Sequence, residues 1–97
     1  MRLTEKEKNV LLAAIRKIDP GAQVHLFGSR VHDHLKGGDI DLLIVSDKLS
    51  FADRIEVLSE IKLKLGEQKI DLKVVAHSAL ATDAFAQSVL QQSVLLT

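Results

Sequence analysis

Apolar residues recur at two spacings along this chain, and the alternation between the spacings predicts its helices and strands. Thr4 and Glu7 have the spacing of a capping box, which marks the start of a helix. Apolar residues then repeat at helical intervals: Val10, Leu11, Ala14, Ile15 and Ile18. The sequence Asp19-Pro20-Gly21 ends this helix. Residues 23–27 alternate as in a short strand that stops at Gly28.

The middle of the chain predicts a turn, a buried strand and a second helix. Residues 29–35 favour a turn or short helix, and Gly37-Gly38 a hinge before a strand over residues 39–45. That strand is almost wholly apolar beyond its carboxylates, as in a central strand. Ser50 with Asp53 predicts the next N-cap, and Gly66 the C-cap. The inward face of this helix is expected to carry Phe51, Ile55, Leu58, Ile61 and Leu65.

The last third predicts one strand and one helix. Residues 70–75 read as a third strand, and a helix begins at Thr82 or Asp83 and runs to about Gln92. The tail, residues 93–97, fits either another helical turn or a short edge strand. This order predicts an α/β (α+β) fold: a small mixed β-sheet of three to four strands with helices mainly on one face. We expect a single domain over residues 1–97, with the carboxylates projecting from the other face.

Composition narrows the class of partner. Lys plus Arg and Asp plus Glu both count 13, so no broad basic surface is available to capture DNA or RNA directly. Cysteine is absent, which excludes disulfides and thiolate zinc sites. No apolar signal segment and no run of membrane-spanning length is present, so the cytoplasm is the expected location, with no membrane association.

Two carboxylates stand shortly after a turn of small residues. Asp39 and Asp41 fall on one face of the predicted strand, with Cα atoms roughly 6.6 Å apart. Carboxylates this close repel each other unless a cation neutralises them, and a hard divalent ion with oxygen ligands does so well. Gly28 and Ser29, at the preceding turn, can hold phosphates. This pattern indicates phosphoryl or nucleotidyl transfer.

A third carboxylate, Asp71, lies within an apolar strand sequence where an isolated charge would be costly. If its strand neighbours that of Asp39 and Asp41, the three can hold two Mg²⁺ ions, with Mn²⁺ an alternative, about 3.5–4 Å apart. Asp39 and Asp41 are then the shared ligands. Asp71 is the ligand nearest the nucleophile and the candidate general base. An ion pair between Asp71 and Lys73, which shares its face, is the competing interpretation of both residues.

Other features have competing interpretations. Arg30 is a candidate to steady a phosphate, although a solvated charge is equally expected in a turn. His32-Asp33-His34 falls short of the roughly four ligands that a structural zinc site needs. The three aromatic residues sit in apolar patterns and are expected to pack in the core rather than stack on bases: Phe27, Phe51 and Phe85.

The order of these motifs resembles the nucleotidyltransferase superfamily related to DNA polymerase beta, and within it the minimal nucleotidyltransferases. The resemblance runs from about Val24 to Val75. It implies that Gly28 and Ser29 contact the nucleotide triphosphate, and that the metal-binding and catalytic acids are Asp39, Asp41 and Asp71. The chain departs from the family pattern in having Val31-His32-Asp33 where an arginine and a second glycine are common. It also has Gly38 where serine often precedes the first aspartate.

The expected activity is transfer of a nucleoside monophosphate from an NTP, with ATP the expected donor, and release of pyrophosphate. The chain ends soon after the predicted sheet, and its charge is balanced, so a hydroxyl on a partner protein is the expected acceptor. The resemblance implies an antitoxin that adenylylates a tyrosine of a HEPN-domain toxin. This chain contains no tyrosine, so that acceptor lies in another polypeptide.

Two alternatives belong to other classes. The first is a non-catalytic nucleotide-binding antitoxin that neutralises its toxin by direct contact. The second is a small-molecule nucleotidyltransferase that acts as an oligomer. Three converging carboxylates favour an enzyme over a scaffold, because a scaffold has no need of them.

Overall fold

A computed structural model describes residues 3–31 and 39–96 of the chain. The described elements, in chain order, are helix α1 (Glu5–Arg16), strand β1 (Gln23–Phe27), a 3₁₀ helix (Gly28–Val31), β2 (Ile40–Val45), α2 (Phe51–Leu65), β3 (Ile70–Val75), α3 (His77–Leu80), α4 (Ala84–Gln91) and β4 (Val94–Leu95). None of these helices is both long enough and apolar enough to cross a membrane.

The four strands form one mixed sheet in the order β3-β2-β1-β4. Strand β1 pairs antiparallel with β2 and with β4, whereas β2 and β3 run parallel. A parallel pair needs a crossover connection, and α2 supplies it between β2 and β3. The predicted mixed α/β fold is therefore confirmed, and the tail forms the short edge strand rather than a further helical turn.

The predicted capping box at Thr4 and the predicted N-cap at Ser50 are both confirmed, and each forms a complete capping box. Thr4 Oγ1 accepts from the Glu7 amide at 3.0 Å, and Glu7 Oε1 accepts from the Thr4 amide at 2.9 Å. Ser50 and Asp53 exchange the same pair of bonds at 3.1 and 2.9 Å at the start of α2. Because each box satisfies two backbone donors that the helix itself cannot bond, it fixes where the helix begins. Asp83 caps α4 by accepting from the Ala86 amide at 2.9 Å.

The sheet has a core on each face. The larger core joins α1 and α2 to inward residues of the strands, including Leu26, Ile40, Leu42 and Leu72. The smaller one lies under α4 and contains Leu43, Val45, Val75 and Ala86, with Phe27, Leu80, Val89 and Leu90 packed against it. Successive side chains of a strand point to opposite faces, so Asp41 shares the α4 face with Leu43 and Val45. The carboxylate thus lies on the face away from α1 and α2.

The inward face predicted for α2 is partly wrong. Phe51 is 70% exposed and Ile55 54% exposed, whereas Val57 and Ile61 are the buried residues of this helix. The crossover places the outer side of α2 away from the sheet, and the Arg54 guanidinium lies 5.0 Å from the centre of the Phe51 ring. Core packing is also wrong for Phe85, which is half-exposed and meets Phe27 edge to face, with ring centres 6.2 Å apart.

Two further elements differ from the expected order. The short helix α3 was not predicted, because its four residues carry no repeat long enough to show a period. The turn after β1 is the 3₁₀ helix Gly28–Val31. The predicted hinge at Gly37-Gly38 and the segment His32-Asp33-His34 lie outside the described residues.

Candidate active site

Three strand termini meet at one end of the sheet. Strand β1 ends there, and β2 and β3 both begin there, because β2 is antiparallel to β1 and parallel to β3. The register places Phe27 beside Asp41, and Asp41 beside Asp71, in one row across three strands. Paired positions of neighbouring strands project to the same face. The strand adjacency on which the predicted carboxylate group depends is therefore present.

Asp41 is the most confined of these acids. Its partial burial, and then the negative charges of Asp71 and Asp39, raise the pKa of Asp41 above its ordinary value of 3.8, while Lys69 opposes the rise. Both causes act on the ionised form: burial removes water, and like charges add repulsion. An ionised Asp41 is thus stabilised by any cation that binds between these carboxylates.

Gly28 makes room for the Asp41 carboxylate. The backbone at Gly28 has a φ of +77°, a conformation that glycine adopts without the steric cost that other residues incur. A Cβ atom added there would lie 2.3 Å from Asp41 Oδ2 and 3.2 Å from its Cγ, well inside contact distance. The glycine is therefore required twice, for its backbone conformation and for the space that the carboxylate fills.

Asp39 has a cationic neighbour. Lys69 Nζ lies 3.7 Å from Asp39 Oδ2, and both side chains are solvent-accessible. The Lys69 carbonyl accepts a hydrogen bond from the Ile40 amide at 3.0 Å, so the main chain holds Lys69 next to the start of β2, where Asp39 and Asp41 flank Ile40. Sequence reasoning missed Lys69, because only the parallel β2–β3 register brings the start of β3 to Asp39.

The donor chemistry fits a hard divalent cation. Carboxylate oxygens are the ligands that Mg²⁺ prefers, and Asp41 lies against like charges that a cation would neutralise. Residues 3–31 and 39–96 contain no group of three acidic or histidine side chains already gathered so as to hold an ion. Asp39 in particular faces the Lys69 ammonium. A divalent ion at these carboxylates would compete with the Lys69 ammonium for Asp39.

Arg30 is directed toward α1. Its Nη1 lies 3.9 Å from Glu7 Oε2, and the arginine side chain is only 16% exposed. Glu7 Oε2 also accepts from Gln68 Nε2 at 3.3 Å, so this carboxylate links α1 to the segment before β3. Arg30 therefore connects the 3₁₀ helix Gly28–Val31 to α1. A phosphate contact by Arg30 stays a prediction.

The remaining predicted residues are placed as follows. Ser29 belongs to the 3₁₀ helix directly after Gly28, and its side chain is outside the described part of the chain. Lys73 is exposed on β3, opposite Leu43 and on the same face as Asp71. No ion pair between Asp71 and Lys73 occurs among the described residues, so the competing interpretation of the two as a simple pair gains no support.

A shallow pocket adjoins the row of acids. It has a volume of about 200 Å³ and is lined by Phe27, Gly28, Ser88, Val89 and Gln92. Sequence reasoning did not single out the α4 residues. Their only signal was spacing, since residue 92, which directly follows α4, comes four positions after residue 88, about one helical turn.

This fold and this site define a nucleotidyltransferase architecture, and comparisons with known proteins agree. The family described as "Polymerase beta, Nucleotidyltransferase" matches residues 6–97. The chain therefore belongs to the polymerase beta nucleotidyltransferase family, which confirms the resemblance seen in the sequence.

One solved structure similar to the chain is titled "Crystal structure the toxin-antitoxin MntA-HpeT mutant-D39ED41E". The match has a TM-score of 0.68 and 21% identity, and covers 93% of this chain and 71% of the other. At this identity the likeness establishes the fold alone. No protein with curated annotation matches the chain significantly.

Proposed function

We propose that this protein is a metal-dependent nucleotidyltransferase that moves a nucleoside monophosphate, AMP by preference, from an NTP to a hydroxyl on a partner protein. The observation that carries the proposal is the row formed by Asp41 and Asp71, with Asp39 two residues before Asp41, directly ahead of β2. Family membership supports the reaction class, and the raised pKa of Asp41 supports a site at which a cation would stabilise the ionised carboxylate.

Each residue has a defined part in this reaction. Asp39, Asp41 and Asp71 would hold the divalent ions, two Mg²⁺ or alternatively Mn²⁺. When bound, such ions supply positive charge to the triphosphate and lower the pKa of the acceptor hydroxyl. The backbone of Gly28 and Ser29 binds the phosphates at the start of the 3₁₀ helix, and Arg30 is placed one residue further on.

Asp71 is the candidate general base because it is exposed on the edge strand, where an acceptor can approach. It takes the proton of the acceptor hydroxyl as the hydroxyl oxygen forms its bond to the α-phosphorus. The bond from that phosphorus to the pyrophosphate oxygen breaks in the same displacement, and pyrophosphate leaves with its electron pair.

A toxin partner is the expected acceptor, as part of a toxin–antitoxin system. The solved relative is titled a toxin–antitoxin complex, and its title records a variant with two aspartates, two positions apart, replaced by glutamate. The same Asp-x-Asp spacing occurs here at Asp39 and Asp41. We propose a HEPN-domain ribonuclease as the toxin, with a tyrosine as its acceptor residue, and the cytoplasm as the location.

Labelled ATP tests the proposal directly. Wild-type protein with ATP labelled at the α-phosphate, Mg²⁺ and a HEPN partner should place label on the partner, and Asp39→Asn and Asp71→Asn should not. Lys64→Met, an exposed charge change on α2, is the control and should retain the activity. The opposite outcome is that wild type transfers no label and the Asn variants neutralise the toxin as well as wild type does. That outcome would instead establish an antitoxin that acts by contact.

A further inference from the structure

The pocket beside Gly28 has a composition suited to a flat heterocycle. Phe27 and Val89 supply apolar walls, and Ser88 and Gln92 place polar groups at its rim. Nucleotide sites commonly combine such walls with a few polar groups that fix orientation. Both walls are anchored, because Phe27 and Val89 also pack against the core under α4.

The pocket and the acidic site share a wall. Gly28 lines the pocket, and a Cβ at the same residue would strike Asp41 Oδ2. Phe27, the next pocket residue, lies beside Asp41 in the sheet register. If the phosphates of a ligand lie at Gly28 and Asp41, the group attached to those phosphates therefore lies next to this pocket.

Two other hollows are larger than this pocket, but the residues that line them argue against a nucleotide site there. A groove of about 350 Å³ between α1 and α2 is bordered by Lys17 and Glu60, which already pair with each other. A hollow of about 390 Å³ near Arg54 lies where β2 has ended, at Ser46 and Asp47. Neither hollow includes any of the residues that form the acidic site.

The polar groups of Gln92 and Ser88 are available to hydrogen-bond a ligand. Within the described residues neither side chain makes a hydrogen bond, in contrast to Gln87, whose Nε2 donates to the Leu80 carbonyl at 2.8 Å. The carboxamide of glutamine offers one donor group and one acceptor. That pair matches the amino group and ring nitrogen on one edge of adenine, whereas the corresponding edge of guanine carries two acceptors.

We propose that this pocket binds the nucleobase of the donor nucleotide and that Gln92 selects adenine, with Ser88 at the rim. The proposal rests on the proposed nucleotidyl transfer and adds to it the residues that set base preference. Phe27 and Val89 contact the faces of the ring, and the Gln92 carboxamide bonds its edge.

Calorimetric titration with ATP, GTP and inorganic tripolyphosphate tests the assignment. Gln92→Ala should lower ATP affinity on the order of tenfold, as expected for loss of a two-bond contact to a base, and leave tripolyphosphate affinity unchanged. Gln91→Ala is the matched control, because the neighbouring glutamine, the last residue of α4, does not line the pocket. It should bind all three ligands like wild type.

Ser88→Phe provides a second, independent variant. Ser88 is exposed, so a phenyl group there should fill the pocket without entering the core. ATP and GTP binding should then be lost, whereas tripolyphosphate should still bind. Gln91→Phe is its control, and thermal melting checks that both variants fold. The nucleobase assignment alone is overturned if Gln92→Ala binds ATP as Gln91→Ala does. It is likewise overturned if Ser88→Phe keeps the wild-type affinity for ATP. Wild-type protein that binds neither ATP nor tripolyphosphate overturns the proposed function as well.

Discussion

Strand β2 has a confined carboxylate near each of its ends, and the two are held in opposite ways. Asp19 lies near the C-terminal end of β2. It is 7% exposed and accepts hydrogen bonds from Ser46 Oγ at 2.6 Å and from the Gly21 amide at 3.0 Å. The bond from Ser46 is the main reason why the pKa of Asp19 is lowered, and burial opposes it. Near its start, Asp41 has burial and two like charges around it, and its pKa is raised.

The difference separates an acid whose partners lie within the fold from one that we propose to bind a cation. Ser46 Oγ also accepts from the Lys48 and Leu49 amides, so Asp19 completes a network that closes within the chain and joins the end of α1 to the end of β2. Among the described residues no comparable set of donors surrounds Asp41, and the charge of Lys69 only partly offsets its burial and the like charges around it. A carboxylate that the fold satisfies stabilises the fold, whereas one that the fold leaves strained is available for binding.

The largest expected effect is at Asp41. Asp41→Asn should reduce nucleotidyl transfer about 100-fold or more, because the proposed metal site loses a charged ligand. Its stability should equal or exceed that of wild type at neutral pH. The raised pKa means that stability is lost as pH rises from 3.8 through the folded-state pKa, and the amide does not ionise. Urea unfolding measures this, and a clearly destabilised Asp41→Asn would contradict the comparison.

Gly28→Ala should be the next largest change, affecting both activity and stability. The alanine incurs a backbone cost of about 1–2 kcal/mol at positive φ, and its methyl group also displaces the Asp41 carboxylate. Gly66→Ala is the matched control, since Gly66 has the same φ of +77° but nothing within 4 Å of an added Cβ. We expect both variants to lose stability and only Gly28→Ala to lose transfer activity. Equal activity in the two variants would rule out the contact with Asp41.

Asp19→Ala should destabilise the protein by about 1–3 kcal/mol, the range for losing hydrogen bonds to a buried charged group. The lowered pKa of Asp19 means that its stabilisation is complete above pH 3.8 and is lost as pH falls through the folded-state pKa. The acid limb of a plot of stability against pH should therefore be shallower in Asp19→Ala. Nucleotide affinity, measured on the folded protein, should stay at the wild-type level, in contrast to Asp41→Asn.

The smallest expected effect is at His25, which lies on β1 between the two acidic sites. Burial lowers its pKa below 6.5, and its Nε2 is enclosed without a partner in the part of the chain that is described. Neutral histidine is therefore favoured in the fold, and stability should decline as pH falls below 6.5. Thermal melting from pH 7.5 to 5 should show a modest decline that His25→Gln reduces. His77→Gln, at an exposed position, should keep the wild-type profile.

Most of the fold and the identity of the acids were readable from the sequence. Capping boxes at Thr4 and Ser50, and the apolar run of β2, are local features whose physical causes lie within a few residues. The inward face of α2 was misjudged because Phe51 and Ile55 continue a helical period whose buried side depends on the crossover. The pocket at Ser88 and Gln92 was missed because α4 meets β1 only through tertiary packing.

The sequence by itself determined which groups are present and where α1 and α2 begin, because the capping residues of each helix lie at its first turn. The spacing of Asp39 and Asp41 likewise places them on one side of an extended chain, because side chains alternate with a period of two. Only the tertiary structure decided which strands are neighbours. The parallel register that sets Asp71 beside Asp41 and Lys69 near Asp39 is a long-range pairing across the α2 crossover. Such pairings result from burial on both faces of the sheet at once, which no short stretch of sequence contains.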